Sequence, residues 1–316
     1  MYWYYKYPFY FILLLLLFGI GYLVYTHLPK DLTENISEAV VPRDESGATD
    51  PDIPARENGA EGASSAVHPA VLRQLRSARK QFDSGSLLAA RTLAQKALEM
   101  KGVARFGPAW KQAVDIISDV NTRLINGDAP CPEKVRYEVE AGDTLIEIAQ
   151  AHNTTVPAII RGNPELGGGS DKIFPGMIVH IYRADWRIEV VKEQYALLLF
   201  DGERLFKHYA CAIGRQGRTP VGTFKVSSKI YEPDWTPPGK VIPYGSEENV
   251  LGTRWLGIVP TEDTDSTLKG YGIHGTWEPE SIGTQASQGC IRMRNEEVEE
   301  LYDIVPRGTP VIIKDQ

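Results

Sequence analysis

Eighteen consecutive uncharged residues, Pro8 to Tyr25 (PFYFILLLLLFGIGYLVY), set the first limit on this chain, because so long an apolar run does not lie on the surface of a water-soluble domain. It is long enough to cross a bilayer, slightly short of the ideal ~20 residues. A cleaved signal peptide is the rival reading, but its apolar core usually spans about 7–15 residues and ends at small residues. Here the run is followed by THLPKD, and Tyr2, Trp3, Tyr4, Tyr5 and Tyr7 crowd its N-terminal edge like an interfacial belt. The expectation is an uncleaved transmembrane signal anchor over 8–25, giving the chain a membrane partner. Lys6 and Lys30 nearly balance across the run, so charge does not orient it.

Residues 31–66 are the opposite kind of sequence. They hold nine acids and two bases, a net −7 that equals the formal charge of the whole chain; the other residues carry 32 bases and 32 acids. Rich in Pro, Gly and Ser and without an aromatic residue, the stretch cannot bury enough surface to offset its chain entropy. It reads as an acidic disordered linker. A chain without basic excess is not expected to have a nucleic-acid partner. Three cysteines are too few for a disulfide scaffold, and no segment has metal-ligand spacing, so no metal is expected.

Residues 67–130 have helical periodicity. Val71, Leu75, Ala78 and Phe82, then Ala90, Leu93 and Ala97, then Ala113, Ile117, Val120 and Leu124 form three apolar stripes, punctuated at Gly85-Ser86 and from Gly102 to Pro108. The second and third helices faintly resemble a tetratricopeptide-type hairpin. Fewer than three such repeats rarely stand alone, so a neighbouring domain or a protein partner is expected to cover them.

Residues 135–182 read as strand, helix, helix, strand. Tyr137 and Val139 alternate into a turn at Ala141-Gly142, Asp143 is expected to cap the first helix, Val156 to Arg161 forms the second, and Ile178 to Ile181 closes the unit. The segment resembles the LysM module family through Tyr137-x-Val139, Gly142-Asp143-Thr144-Leu145, Ile148-Ala149, Thr155-Val156, Asn163 and Ile173-x-Pro175-Gly176. The resemblance implies a βααβ module that binds N-acetylglucosamine-containing glycan strands, with Gly142, Asp143, Thr144, Asn163 and Ile173 at or near a shallow groove. For Gly142 and Asp143, a role confined to building the turn is an equal alternative.

From about Arg187 the pattern is that of strands. RIEVVKE, YALLLF and RLFKHYACAIG run apolar or alternate, Asp201-Gly202 suits a type I′ hairpin, and shorter strands are expected at Thr223–Ser227, Trp255–Val259 and Val311–Ile313. One late helix buries Val298, Leu301, Ile304 and Val305, with Asn295 as its expected cap. This is a mainly-β domain. Cys211 reads as a core thiol, while the exposure of Cys131, in the Pro-flanked turn APCPEK, and a Cys131–Cys211 bridge are both left open.

His274 and Cys290 stand sixteen residues apart, each beside a glycine. A thiol nucleophile needs a base, since free Cys has a pKa near 8.5, and His274 can serve. Gly289 allows close backbone approach, so amides around Gly289 and Cys290 are candidates for an oxyanion site. Arg292, two residues on, falls on the same face of an extended chain as Cys290 and suits a carboxylate. On spacing alone a structural His and a buried Cys remain the alternative.

The surroundings of this pair resemble the L,D-transpeptidase (YkuD-type) catalytic domain over 186–315, through His274-Gly275-Thr276, Ser287-x-Gly289-Cys290-Ile291-Arg292-Met293 and Thr219-Pro220-x-Gly222-x-Phe224. The resemblance implies Cys290 as nucleophile and His274 as proton carrier, oriented by the Gly275 carbonyl. It implies Gly289 near the oxyanion, and Arg292, Ser287, Tyr271 and Thr276 in substrate binding. Gln288 departs from the His or Lys of many relatives. The implied reaction is cofactor-free: a thioester forms on a peptidoglycan tetrapeptide stem with release of D-alanine, and a second stem's amine resolves it into a 3→3 cross-link. Alternatives are attachment of a lipoprotein, L,D-carboxypeptidase activity through the same Cys, or a non-catalytic wall-binding tether. The implied location is the bacterial cell envelope, single-pass in the cytoplasmic membrane with the catalytic domain outside.

Overall fold

A computed structural model describes residues 67–166, 172–262 and 264–316. The expected anchor over 8–25 and linker over 31–66 lie outside the described residues. Among those described, no helix is long and apolar enough to cross a membrane.

The first three helices are α1 (Pro69–Asp83), α2 (Leu87–Leu98) and α3 (Pro108–Asn126). Pro108 starts α3 at the one position where a missing N–H costs nothing. α3 is apolar on more than one side. Ile117, Val120 and Leu124 pack with Ala78, Phe82, Ala90 and Ala94 of the other two helices, while Trp110 and Val114 meet Val191 and Leu198, and Ile125 enters the core of the large β-domain. The neighbour that these helices require is supplied by the chain's own sheet.

β1 (Lys134–Glu138) pairs antiparallel with β2 (Ile178–Tyr182), Lys134 opposite Tyr182 and Glu138 opposite Ile178. Between them lie α4 (Leu145–Ala151) and α5 (Val156–Gly162), whose Leu145, Ile148 and Ile159 close a small core with Val179 and Ile181. The cap of α4 is Thr144 rather than Asp143. The Thr144 hydroxyl accepts from the Glu147 amide at 3.2 Å, capping the helix, and donates to the Glu147 carboxylate at 2.8 Å. Asp143 instead closes the preceding turn, accepting from the Tyr137 hydroxyl and the Glu140 amide, each at 2.8 Å.

The remaining strands are β3 (Trp186–Val191), β4 (Ala196–Asp201), β5 (Arg204–Ala210), β6 (Ile213–Gly214), β7 (Gly222–Tyr231), β8 (Arg254–Pro260), β9 (Gly272–His274), β10 (Gln285–Ser287), β11 (Ile291–Arg292) and β12 (Pro310–Lys314). Eight of them form one mixed sheet in the order β11-β9-β8-β7-β12-β3-β4-β5, and β10 pairs with β6 separately. The hairpin turn between β4 and β5 is Gly202-Glu203. Only Gly202 takes positive φ, 58°, which is the II′ pattern and not the expected I′. α6 (Asn295–Ile304) begins at Asn295, so that residue does not cap it; its Oδ1 accepts from the Thr253 amide at 3.2 Å instead. All three cysteines are free thiols, and Cys211 is fully buried. Cys131 is half-buried, because the loop carrying it is packed between the helices and the β-domain.

Polar contacts join these parts into one unit. Arg161 of α5 meets Asp303 of α6 at 2.5 Å, and the Thr155 hydroxyl donates to the Asp303 carbonyl. Asn121 of α3 donates to the Phe206 carbonyl of β5 at 2.9 Å. Glu133, in the loop before β1, accepts from Arg91 of α2 at 2.9 and 3.1 Å and from Arg204 of β5 at 2.8 Å.

Candidate active site

β9 and β11 run parallel at one end of the sheet, with Ile273 beside Ile291 and His274 beside Arg292. Side chains two apart share a strand face, so Cys290, just ahead of β11, points to the same side as Arg292 and its neighbour His274. All three line one cavity of about 330 Å³, with Tyr271, Ser287, Gln288 and Gly289. Its rim includes Trp235, Val250 and Leu251 from the long loop between β7 and β8. That loop is held by buried Asn249, which donates to the carbonyls of Pro233 at 2.9 Å and Ile242 at 3.3 Å and accepts from the Leu251 amide at 2.9 Å. A larger cleft of about 520 Å³ lies among Arg105, Trp110, Glu189 and Phe200, but neither Cys nor His lines it.

His274 is 2% exposed. Its Nδ1 donates to the Gly275 carbonyl at 2.6 Å, which fixes the neutral tautomer and leaves Nε2 free to take a proton. Trp255 stacks on the ring with centroids 5.8 Å apart. That stack requires Gly272, where a Cβ would come within 2.6 Å of the indole. Burial lowers the His274 pKa to about 4, with Arg292 adding to the effect and the Gly275 and Leu251 carbonyls opposing it. Burial also raises the Cys290 thiol, against the opposing influence of the Gly272 backbone and of Arg292. The thiol donates weakly to the Gly270 carbonyl at 3.7 Å. Both shifts favour the uncharged forms, a thiol beside a neutral imidazole.

A direct check is NMR titration of the His274 ring. It is expected to remain the neutral Nδ1–H tautomer from pH 8 to about 5 and to protonate only near 4. Since the folded pKa lies below the unfolded value of 6.5, the stability linked to this group is present above pH 6.5 and is lost as pH falls toward 4, by of order 3 kcal/mol. A ring that titrates between 6 and 7 would refute this picture.

The Cys290 loop is clamped from behind. Thr219 is fully buried, and its hydroxyl accepts from the Gly214 amide at 2.7 Å and donates to the Gly289 carbonyl at 2.8 Å. This gives the Thr-Pro-x-Gly-x-Phe stretch a physical role that the sequence alone did not assign. Gly289 has φ 143° and lies against Tyr271 and Gly214; a Cβ there would come within 2.8 Å of the tyrosine ring. The Ser287 hydroxyl donates to the Cys290 carbonyl at 2.6 Å and accepts from the Gly289 amide at 3.0 Å. The Gly289 N–H, the expected oxyanion donor, is thus paired with the Ser287 hydroxyl.

Two other expectations change. Thr276 is 4% exposed, does not line the cavity, and uses its hydroxyl to accept from the Glu278 amide at 3.1 Å. Asn163 cannot line a glycan groove: it is fully buried, donating to the carbonyls of Ile159 and His180 and accepting from the His180 amide at 2.7 Å. Gly142 and Thr144 are exposed and Asp143 and Ile173 half-buried. Ile146 and Phe174, adjacent to this set, are 62% and 63% exposed, large apolar side chains that periodicity gave no reason to single out. Asn295 was also misplaced by sequence. It is wedged between Gly252 and Gly275, where a Cβ on either glycine would come within 2.3 Å of its Oδ1, and so it steadies the peptide whose carbonyl holds His274. Among the described residues no cluster of three or more His, Cys, Asp and Glu could hold a metal ion.

Residues 185–313 match the family model of the L,D-transpeptidase catalytic domain, and residues 137–181 match that of the LysM domain. The putative L,D-transpeptidase YkuD of Bacillus licheniformis is 36% identical over 182 residues, 56% of this chain and 97% of that protein. The putative L,D-transpeptidase YqjB of Bacillus subtilis is 44% identical over 108 residues, 34% of this chain and 58% of that protein. Among solved structures, the catalytic domain of the E. faecium L,D-transpeptidase acylated by ertapenem aligns at 26% identity and a TM-score of 0.33, covering 42% of this chain and 100% of that one.

Proposed function

The chain belongs to the L,D-transpeptidase family of enzymes and carries a LysM domain ahead of its catalytic domain, and from that premise we propose a peptidoglycan cross-linking mechanism built on Cys290 and His274. The observation that carries it is the convergence of Cys290, His274 and Arg292 on one cavity.

In the first half-reaction the Cys290 sulfur bonds to the carbonyl carbon at the L-centre of a tetrapeptide stem while its proton passes to His274 Nε2. Collapse of the tetrahedral adduct breaks the C–N bond to D-alanine, and the imidazolium returns the proton to the departing amine. In the second, a stem amine attacks the thioester and gives its proton to His274; the C–S bond breaks and the imidazolium returns that proton to the Cys290 sulfur. Arg292 holds a substrate carboxylate; Tyr271, Ser287 and Gln288 shape the cavity around it. This chemistry requires no cofactor. Gly142, Asp143, Thr144 and Ile173 form one side of a glycan-binding groove.

The layout that follows is an anchor at 8–25, an acidic spacer at 31–66, a helical segment at 67–130, the LysM module at 135–182 and the catalytic domain at 186–315. The domains act in the cell envelope, and the anchor places them on the extracytoplasmic side of the membrane, where stems are found. Protein lacking the first 30 residues, incubated with tetrapeptide muropeptides, is expected to yield 3→3 dimers and free D-alanine by mass spectrometry. Unchanged substrate would sink the enzyme reading, and tripeptide monomers alone would reassign the acceptor to water.

A further inference from the structure

Arg292 already has a partner at the cavity. Its Nη1 donates to the Glu278 carboxylate at 3.0 Å, and the two ends of this pair are unequal: the guanidinium side chain is 12% exposed and the carboxylate 61%. Arg292 Nε is buried without a partner. The guanidinium has thus given up most of its water and depends on an anion, whereas the carboxylate can return to solvent at little cost.

Glu278 is also built to let go with its side chain alone. Its backbone is tied down on both sides, the amide by the Thr276 hydroxyl and the carbonyl by the Ser281 amide at 3.0 Å and hydroxyl at 2.7 Å. It lies four residues beyond His274, on the loop that leaves the cavity.

We propose that Glu278 is a specificity-determining residue, an internal stand-in for the substrate carboxylate that an anionic stem must displace from Arg292. This rests on the reading of Arg292 as the substrate's anion site. An amidated stem cannot replace that counter-ion, so it leaves the Arg292–Glu278 pair in place and binds without the guanidinium; the exchange therefore admits acids and disfavours amides.

The experiment compares two donors in steady-state assays with the same acceptor: a tetrapeptide stem, and the same peptide with its free carboxylates converted to amides. Glu278→Gln keeps an acceptor oxygen but removes the competing charge. It is expected to lower KM for the acidic donor about two- to fivefold, the range of a half-exposed ion pair, and to leave KM for the amidated donor where it was. Arg292→Gln is expected to erase the preference for the acid. An unchanged or raised KM of Glu278→Gln for the acidic donor, with the preference lost in Arg292→Gln, overturns the competition and leaves the anion site standing. A preference that survives in Arg292→Gln overturns the anion site and the competition with it.

Discussion

Cys290→Ala is expected to abolish turnover, with no dimer, no free D-alanine and no covalent acyl adduct on the protein by mass spectrometry, a loss of at least about 10³-fold. The fold is expected to survive. The Cys290 thiol donates weakly to the Gly270 carbonyl and meets the Gly272 backbone, while the loop around it is held by Thr219 and Ser287, which the substitution does not touch. Cys290→Ser is expected to be equally silent. A base with a pKa of about 4 is poorly matched to an alcohol proton, and sulfur is the easier atom to deprotonate as it attacks. Measurable dimer formation by Cys290→Ala, in protein free of wild-type contamination, would remove the nucleophile from the mechanism.

Glu133→Ala is expected to be the most damaging single change to stability outside the β-sheet core. Its side chain is 6% exposed and accepts from two guanidiniums, one of which, Arg91, is itself 9% exposed. Burial pushes the Glu133 carboxyl up, but the backbone hydrogen bond and the two arginines outweigh it, and the group stays below its ordinary value. Truncation leaves Arg91 buried and uncompensated, which costs about 3–5 kcal/mol. At about 2–4 °C per kcal/mol for a unit of this size, thermal melting should show Tm lower by roughly 6–20 °C. Replacing both ends, Arg91→Met with Glu133→Leu, should recover much of the loss, because the penalty lies in the orphaned charge. A Tm within 2 °C of wild type for Glu133→Ala would show that water reaches the site.

The reach of the sequence follows the range of the interactions. The Ser287-to-Arg292 motif and the helical stripes were legible because their neighbours are close in sequence. Asp143 and Asn295 both have side chains that suit a helix start, and each was assigned to a cap by composition; which residue caps depends on where the chain turns, and a one-residue difference in α4 passed the role to Thr144. Asn163 looks the same in sequence whether it faces water or, as here, holds β2 to α5. Thr219 acts across 70 residues on Gly289, and Arg91, Glu133 and Arg204 come from three separate segments. Periodicity does not encode such pairings.

The contacts of α3 and α5 with β5 and α6 also bear on how the enzyme meets a polymer. The LysM domain is tied to the catalytic domain through Arg161, Thr155 and Asp303, so the distance from its exposed face to the Cys290 thiol is set by the fold. If the LysM domain holds a glycan strand as proposed, an enzyme of that kind is expected to behave as a caliper, reaching stems at one spacing from its grip.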